Sequence, residues 1–175
     1  SGNPITVVSR EDGSGTRGAF TELMGIMADD VDNTTPKAEI SQSTSVVMAT
    51  VSGNKNAIGY ISLASMDDSV KAIKVDGVEP TVENIKAGVY PVSRPFLVVT
   101  GKKTDELTKD FIAFIMSKEG QTIIEEDGCI SVKNEAKAYE TRSGLKGKIS
   151  VGGSTSVAPV MQKLADAYKA INPEV

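Results

Sequence analysis

Apolar residues recur along this chain in two rhythms, and the places where one gives way to the other mark out its elements. Ile5-Thr6-Val7-Val8 is a β-branched run that predicts a buried strand. In residues 18–27, Ala19, Phe20, Leu23, Met24 and Met27 share one stripe of a helix. Residues 29–37, rich in Asp, Asn, Thr and Pro, read as a loop. Val46 to Val51, with Ser43 or Ser45 as cap and Gly53 as stop, predict a short helix. Residues 57–61 predict a strand, and residues 71–75 alternate ahead of the Asp76-Gly77 turn as an edge strand with a hairpin would. One short helical turn follows at residues 81–88, then a plausible hinge at Tyr90-Pro91. Residues 94–100 predict a central strand with Pro95 at its start. Helical periodicity returns in residues 105–117, with Leu107, Phe111, Ile112, Phe114 and Ile115, and a further helix over 118–126 ends at Gly128. Residues 134–148 are polar and aperiodic, as a linker is.

The opening order of strand, polar glycine loop and helix then recurs. Residues 148–151 read as a short strand, Gly152-Gly153-Ser154-Thr155-Ser156 as a loop, and residues 157–171 as a helix. Its stripe is Val160, Met161, Leu164, Ala165 and Tyr168, and Pro159 sits in the first turn, where a missing N–H costs little. The earlier loop is Arg10-Glu11-Asp12-Gly13-Ser14-Gly15-Thr16-Arg17. A helix that begins in this way leaves its first N–H groups unpaired, with the positive end of the helix dipole behind them. Gly13 and Gly15 let the backbone come close to a ligand, Ser14 and Thr16 add hydroxyls, and Arg10 offers a charged fork suited to phosphate or sulfate oxygens. An ordinary capped helix start, with Asp12 or Ser14 as N-cap and Arg10 solvated, explains the first loop equally well. The second loop favours the oxyanion site, since two such loops would enclose an anion in neutral donors.

Composition narrows the chemistry. The chain has 175 residues, 39% hydrophobic and 24% charged, as soluble globular proteins do. No apolar run approaches the roughly 18 residues of a membrane span and the start is not signal-like, so the expectation is a mature or engineered chain. There is no His and one cysteine, Cys129, so Ser-His-Asp and Cys-His catalysis, the usual zinc sites and an internal disulfide are excluded. We expect no cofactor and no metal. A net charge of −4 argues against a nucleic-acid surface and leaves local dipoles and at most one Arg to hold any anion. Ser14 as a nucleophile lacks a candidate general base, and no Walker Lys follows the glycine loop. An enzyme is therefore the weaker reading.

At this point the residues resemble a known family, the extracytoplasmic phosphate-binding proteins that serve ABC-type phosphate importers. The matching stretches are residues 7–20, 57–62, 90–95, 119–121 and 153–161, nearly the whole length of the chain. The resemblance implies an α/β fold of the type II periplasmic class, two lobes with mixed sheets flanked by helices, closing over one phosphate. By motif, Arg10, Ser14, Gly15 and Thr16 would contact phosphate from one lobe and Thr155 and Ser156 from the other, with Asp12 orienting Arg10 through a salt bridge. It implies residues 1–90 as part of the second lobe and 91–140 as the carboxyl-terminal part of the first. Residues 141–147 would be a junction, and 148–175 the amino-terminal part of the first lobe. Importer membrane subunits would be partners, and the location extracytoplasmic, with the parent protein at a membrane.

Two departures stand out. The Gly-Ser-Thr-Ser stretch opens the mature protein in the family, whereas here it follows the segment around Tyr139, so the order is circularly permuted. The family's long middle segment, with its further anion loop, does not follow Val175. The expectation is therefore a permuted and truncated or split piece, its fold incomplete, whose partner is a complementary fragment or a second copy. A folding or assembly fragment without a working site is the alternative. Cys129 stands where the family more often has an aromatic residue; it reads as a buried inert thiol, with an introduced labelling site as the other reading.

Overall fold

The computed structural model describes residue 2, residues 4–132 and residues 135–175. It divides into two compact units, one of Ser1–Pro95 with Ser154–Ser156, the other of Phe96–Gly153 with Val157–Val175. The α/β class is as the resemblance implied.

The first unit is built on β1 (Thr6–Arg10), followed by α1 (Gly15–Leu23). Next come β2 (Met27–Ala28), β3 (Val31–Asp32), β4 (Glu39–Ser41), α2 (Thr44–Gly53), β5 (Ala57–Ile58) and α3 (Val82–Lys86). The sheet order is β4-β1-β5, and both pairings are parallel. Its central strand therefore ends, at Arg10, on the same side as β4 ends at Ser41. Val8 of β1 and Val47 of α2 are buried to 1% exposure, and both face Gly59. Gly59 must remain small there, because a Cβ would sit 2.9 Å from a methyl carbon of Val47.

The second unit is helical. It comprises α4 (Glu106–Ile115), α5 (Lys118–Glu126) and α6 (Ala158–Ile171). Phe111, Phe114 and Ile115 of α4 pack on Val160, Leu164 and Tyr168 of α6 as one buried cluster. The side chains of Asp105 and Ser117 cap α4 and α5 by accepting N–H bonds from Thr108 and Gly120. Asp110 is buried among aromatic rings and accepts hydrogen bonds from the phenols of Tyr139 and Tyr168. Cys129 is half-buried against this cluster; burial first, then Asp127, pushes its thiol above the ordinary range, which fits an inert thiol.

Several sequence expectations need correcting. Residues 94–100 do not form a central strand, and Leu97 and Val99 are 75% and 86% exposed. Residues 148–151 likewise carry no strand, and Val151 is exposed. Both runs have strand-like composition, but a strand needs a neighbour to complete its ladder, and no described segment supplies one. The predicted edge strand at 71–75 reduces to a single antiparallel bridge between Val75 and Val78 around the Asp76-Gly77 turn. The strand at 57–61 shortens to β5. Met27 leaves the α1 stripe for β2, and the presumed loop after it contains β3, joined to β2 by a hairpin with Asp29 and Asp30 at φ 50° and 60°. The linker at 134–148 has neither helix nor strand among its described residues; Asn134 lies outside them. Among the described residues, no helix is long and apolar enough to cross a membrane.

Candidate anion site at the end of the central strand

The site starts from the backbone of the loop between β1 and α1. The N–H of Ser14 donates to the carbonyl of Glu11 at 3.2 Å, and Gly13 takes φ 79°, the positive value that the third position of a type II turn demands. Ser14 caps α1, its hydroxyl accepting from the N–H of Arg17 at 3.3 Å. The N–H groups of Gly15 and Thr16 belong to the first turn and have no helical acceptor. Gly15 is exposed, so that end of the helix is reachable.

Arg10 is the centre of the side-chain arrangement. It is only 1% exposed. Its Nε and Nη2 donate to the two carboxylate oxygens of Glu11 at 2.8 and 2.9 Å, Nη2 also to Thr155 Oγ1 at 3.0 Å, and Nη1 to Thr44 Oγ1 at 3.3 Å. Thr16 and Ser156 share a hydroxyl hydrogen bond of 2.7 Å, and Ser156 lies 3.4 Å from Thr44. Arg10 beside it holds the Glu11 carboxyl below its ordinary value. The result is a buried cation, neutralised on one edge and ringed by hydroxyls on the others.

Behind this ring the loop is fastened twice. The guanidinium of Arg17 donates to the carbonyl of Arg10 at 3.0 Å and pairs with Asp12 and Asp32, each at 2.7 Å. Thr34 first, and Arg17 after it, hold the Asp32 carboxyl below its ordinary value. On the other side the Tyr60 hydroxyl accepts the N–H of Arg10 at 3.1 Å and bonds Ser9 at 2.7 Å, while its ring stacks on Phe20 at 4.1 Å.

Of the residues singled out from sequence, the structure gathers Arg10, Thr16, Thr155 and Ser156 into one hydrogen-bonded group, with Ser14 and Gly15 at the adjoining helix start. Residues 154–156 group with the first unit. Asp12 is displaced from its expected role: it pairs with Arg17 and is 97% exposed, and the carboxylate on Arg10 is that of Glu11. The strand direction explains this, since Glu11 continues beside Arg10 while Asp12 lies in the turn and points outward. Glu11, Thr44, Tyr60 and Arg17 were missed as site residues. For Thr44 a signal existed: Ser43-Thr44-Ser45 at the start of α2 repeats the hydroxyl chemistry of Ser154-Thr155-Ser156 before α6. Chemically, the group can hold a small oxyanion; among the described residues no cluster suits a metal.

A family model described as "PBP superfamily domain" matches residues 1–119. The phosphate-binding protein PstS 2 of Streptococcus pneumoniae serotype 4 is 50% identical over 175 residues, covering 98% of this chain and 60% of that protein. A crystal structure of a phosphate-binding protein of a phosphate ABC transporter from Streptococcus pneumoniae TIGR4 superposes with TM-score 0.84 at 50% identity, covering 99% of this chain and 68% of that one. A Clostridium perfringens structure with bound phosphate, assigned to the substrate-binding proteins of phosphate ABC transporters, gives TM-score 0.69 at 50% identity, with coverages of 76% and 54%.

The chain spans about three fifths of the length of the pneumococcal PstS 2. On the match over residues 1–119 and this fold, the chain belongs to the PBP superfamily, and its similarity there is to phosphate-binding proteins.

Proposed function

We propose that this chain carries the anion-binding part of an extracytoplasmic protein that takes up inorganic phosphate and delivers it to an ABC-type importer. The observation that supports this best is the buried Arg10 guanidinium, bonded to Thr44 and Thr155 and adjoined by the Thr16–Ser156 hydroxyl pair. A charged donor with hydroxyls and free helix N–H groups suits a tetrahedral oxyanion. Arg10, Ser14, Gly15, Thr16, Thr155 and Ser156 are the proposed ligands. That the relatives are described as phosphate-binding proteins selects phosphate among such anions. Binding without turnover is the reading the residues favour, because the Ser14 hydroxyl caps a helix by accepting from the Arg17 N–H, and among the described residues no side-chain base is bonded to it.

The whole protein's partners would be the importer's membrane subunits. The exposed apolar run at residues 96–99 supports an additional partner, either a complementary segment or a second copy of the chain. The same run favours the alternative of a folding fragment without a working site. Calorimetry with inorganic phosphate, on this chain alone and with the remaining stretch of its relatives added, separates the two. Saturable binding in either sample supports the proposal, and none in both overturns it. Release of phosphate from ATP or a phosphomonoester would replace binding with catalysis.

A further inference from the structure

We infer that Thr44, the first residue of α2, is a positioning residue of this site, a reading that rests on the function proposed above. Thr44 is 5% exposed, and its Oγ1 accepts from Arg10 Nη1 at 3.3 Å. A threonine hydroxyl has one proton and two lone pairs, whereas a guanidinium has only protons and does not lose them. Because Arg10 can only donate, Thr44 must accept from it. The Thr44 proton is then directed elsewhere, and Ser156 Oγ lies in reach at 3.4 Å. Ser156 in turn bonds Thr16 at 2.7 Å. Arg10 thus sets the direction of a chain of hydroxyls from its buried end, Thr44 to Ser156 to Thr16. The proton left over is that of Thr16, beside the free N–H groups at the start of α1. Hydroxyls that could either donate or accept become donors of fixed direction. Thr44 also closes the Nη1 side of Arg10, the side that Glu11 leaves open. The arrangement favours anion oxygens that carry no proton, and Thr44 acts on them through Arg10 and Ser156 rather than by contact.

The test compares Thr44→Val, which keeps shape and loses the hydroxyl, with Thr44→Ser, which keeps it. Two readouts are used on the full chain. Inorganic phosphate binding by calorimetry should weaken about fivefold to tenfold in Thr44→Val, the scale of one lost hydrogen bond, and stay within about twofold in Thr44→Ser. Proton–nitrogen-15 spectra of the phosphate-free chain should show the two Nη1 protons of Arg10 as separate signals in the unsubstituted chain and in Thr44→Ser, and averaged in Thr44→Val, where the Cζ–Nη1 bond is released while Glu11 and Thr155 still hold Nε and Nη2. Arg10 Nη1 signals that stay separate in Thr44→Val overturn the positioning role, whatever the affinity. If the unsubstituted chain binds no phosphate even with the remaining stretch supplied, the proposed function fails, and the Arg10 signals alone decide on Thr44. Should valine prevent folding, Thr44→Ala is read by the same signals.

Discussion

Thr155 accepts a hydrogen bond from Arg10 Nη2 at 3.0 Å although the two residues stand 145 positions apart. This bond joins the two hydroxyl-rich loops of the chain at one guanidinium. Because Arg10 is buried, the bond is made where water competes poorly, so its geometry constrains the loop of residues 154–156 more than an exposed pair would.

Replacing Arg10 should be the most damaging single change to phosphate binding. A charge-assisted contact is worth roughly 1.5 to 3 kcal/mol, so Arg10→Ala should weaken binding on the order of tenfold to a hundredfold. Calorimetry of the variant checks this, and equal affinities would remove Arg10 from the site.

Glu11 and Asp12 should behave differently. Asp12→Asn alters an exposed pair and should change stability by no more than about 0.5 kcal/mol, with phosphate affinity kept. Glu11→Gln removes the charge that holds Arg10 and should lower both. The folded carboxyl of Glu11 is depressed below its ordinary value of 4.5, so the stability it contributes is present above that pH and lost as pH falls through the folded value. Acid unfolding followed by circular dichroism should therefore show a shallower loss in Glu11→Gln.

At the basic end the helical unit should fail for the opposite reason. Burial first, and Asp110 after it, raise the phenols of Tyr139 and Tyr168 above their ordinary value of 10.0. Their contribution is complete below pH 10 and disappears as pH rises through the folded values. Tyr168→Phe should lower stability at neutral pH, by leaving Asp110 with one phenol fewer, and should flatten the decline above pH 10. Thermal melts across that range read both effects.

Gly120 should tolerate no side chain. A Cβ there would lie 2.2 Å from the carbonyl oxygen of Phe114 and 2.6 Å from that of Ile115, both backbone atoms. Gly120→Ala should force the start of α5 away from the end of α4 and cost roughly 1 to 3 kcal/mol or more in chemical denaturation.

Self-association should follow from the unpaired run at residues 96–99. Light scattering of the chain alone should report a mass above that of a monomer. Val99→Lys, at an 86% exposed position, should reduce it. A clean monomer before substitution, together with tight phosphate binding, would make the chain a complete binding protein on its own.

Local chemistry was enough to read the helix starts and the donor character of the loops from the sequence. Ser14, Ser43, Asp105 and Ser117 cap helices because a short polar side chain reaches its own N–H three residues on, a contact that needs no other part of the chain. The stripe of Val160, Leu164 and Tyr168 is equally local, and it buries as its spacing predicts. Only the tertiary structure decided which carboxylate meets Arg10, because Glu11 and Asp12 are alike in chemistry and differ in where the turn sends them. Thr44 entered the site for the same reason: the parallel pairing of β1 with β4 brings the start of α2 to the end of β1. The runs at 94–100 and 148–151 show the limit from the other side. Their composition specifies a strand, but a ladder is made by two segments, and a single segment does not carry its partner in its own sequence.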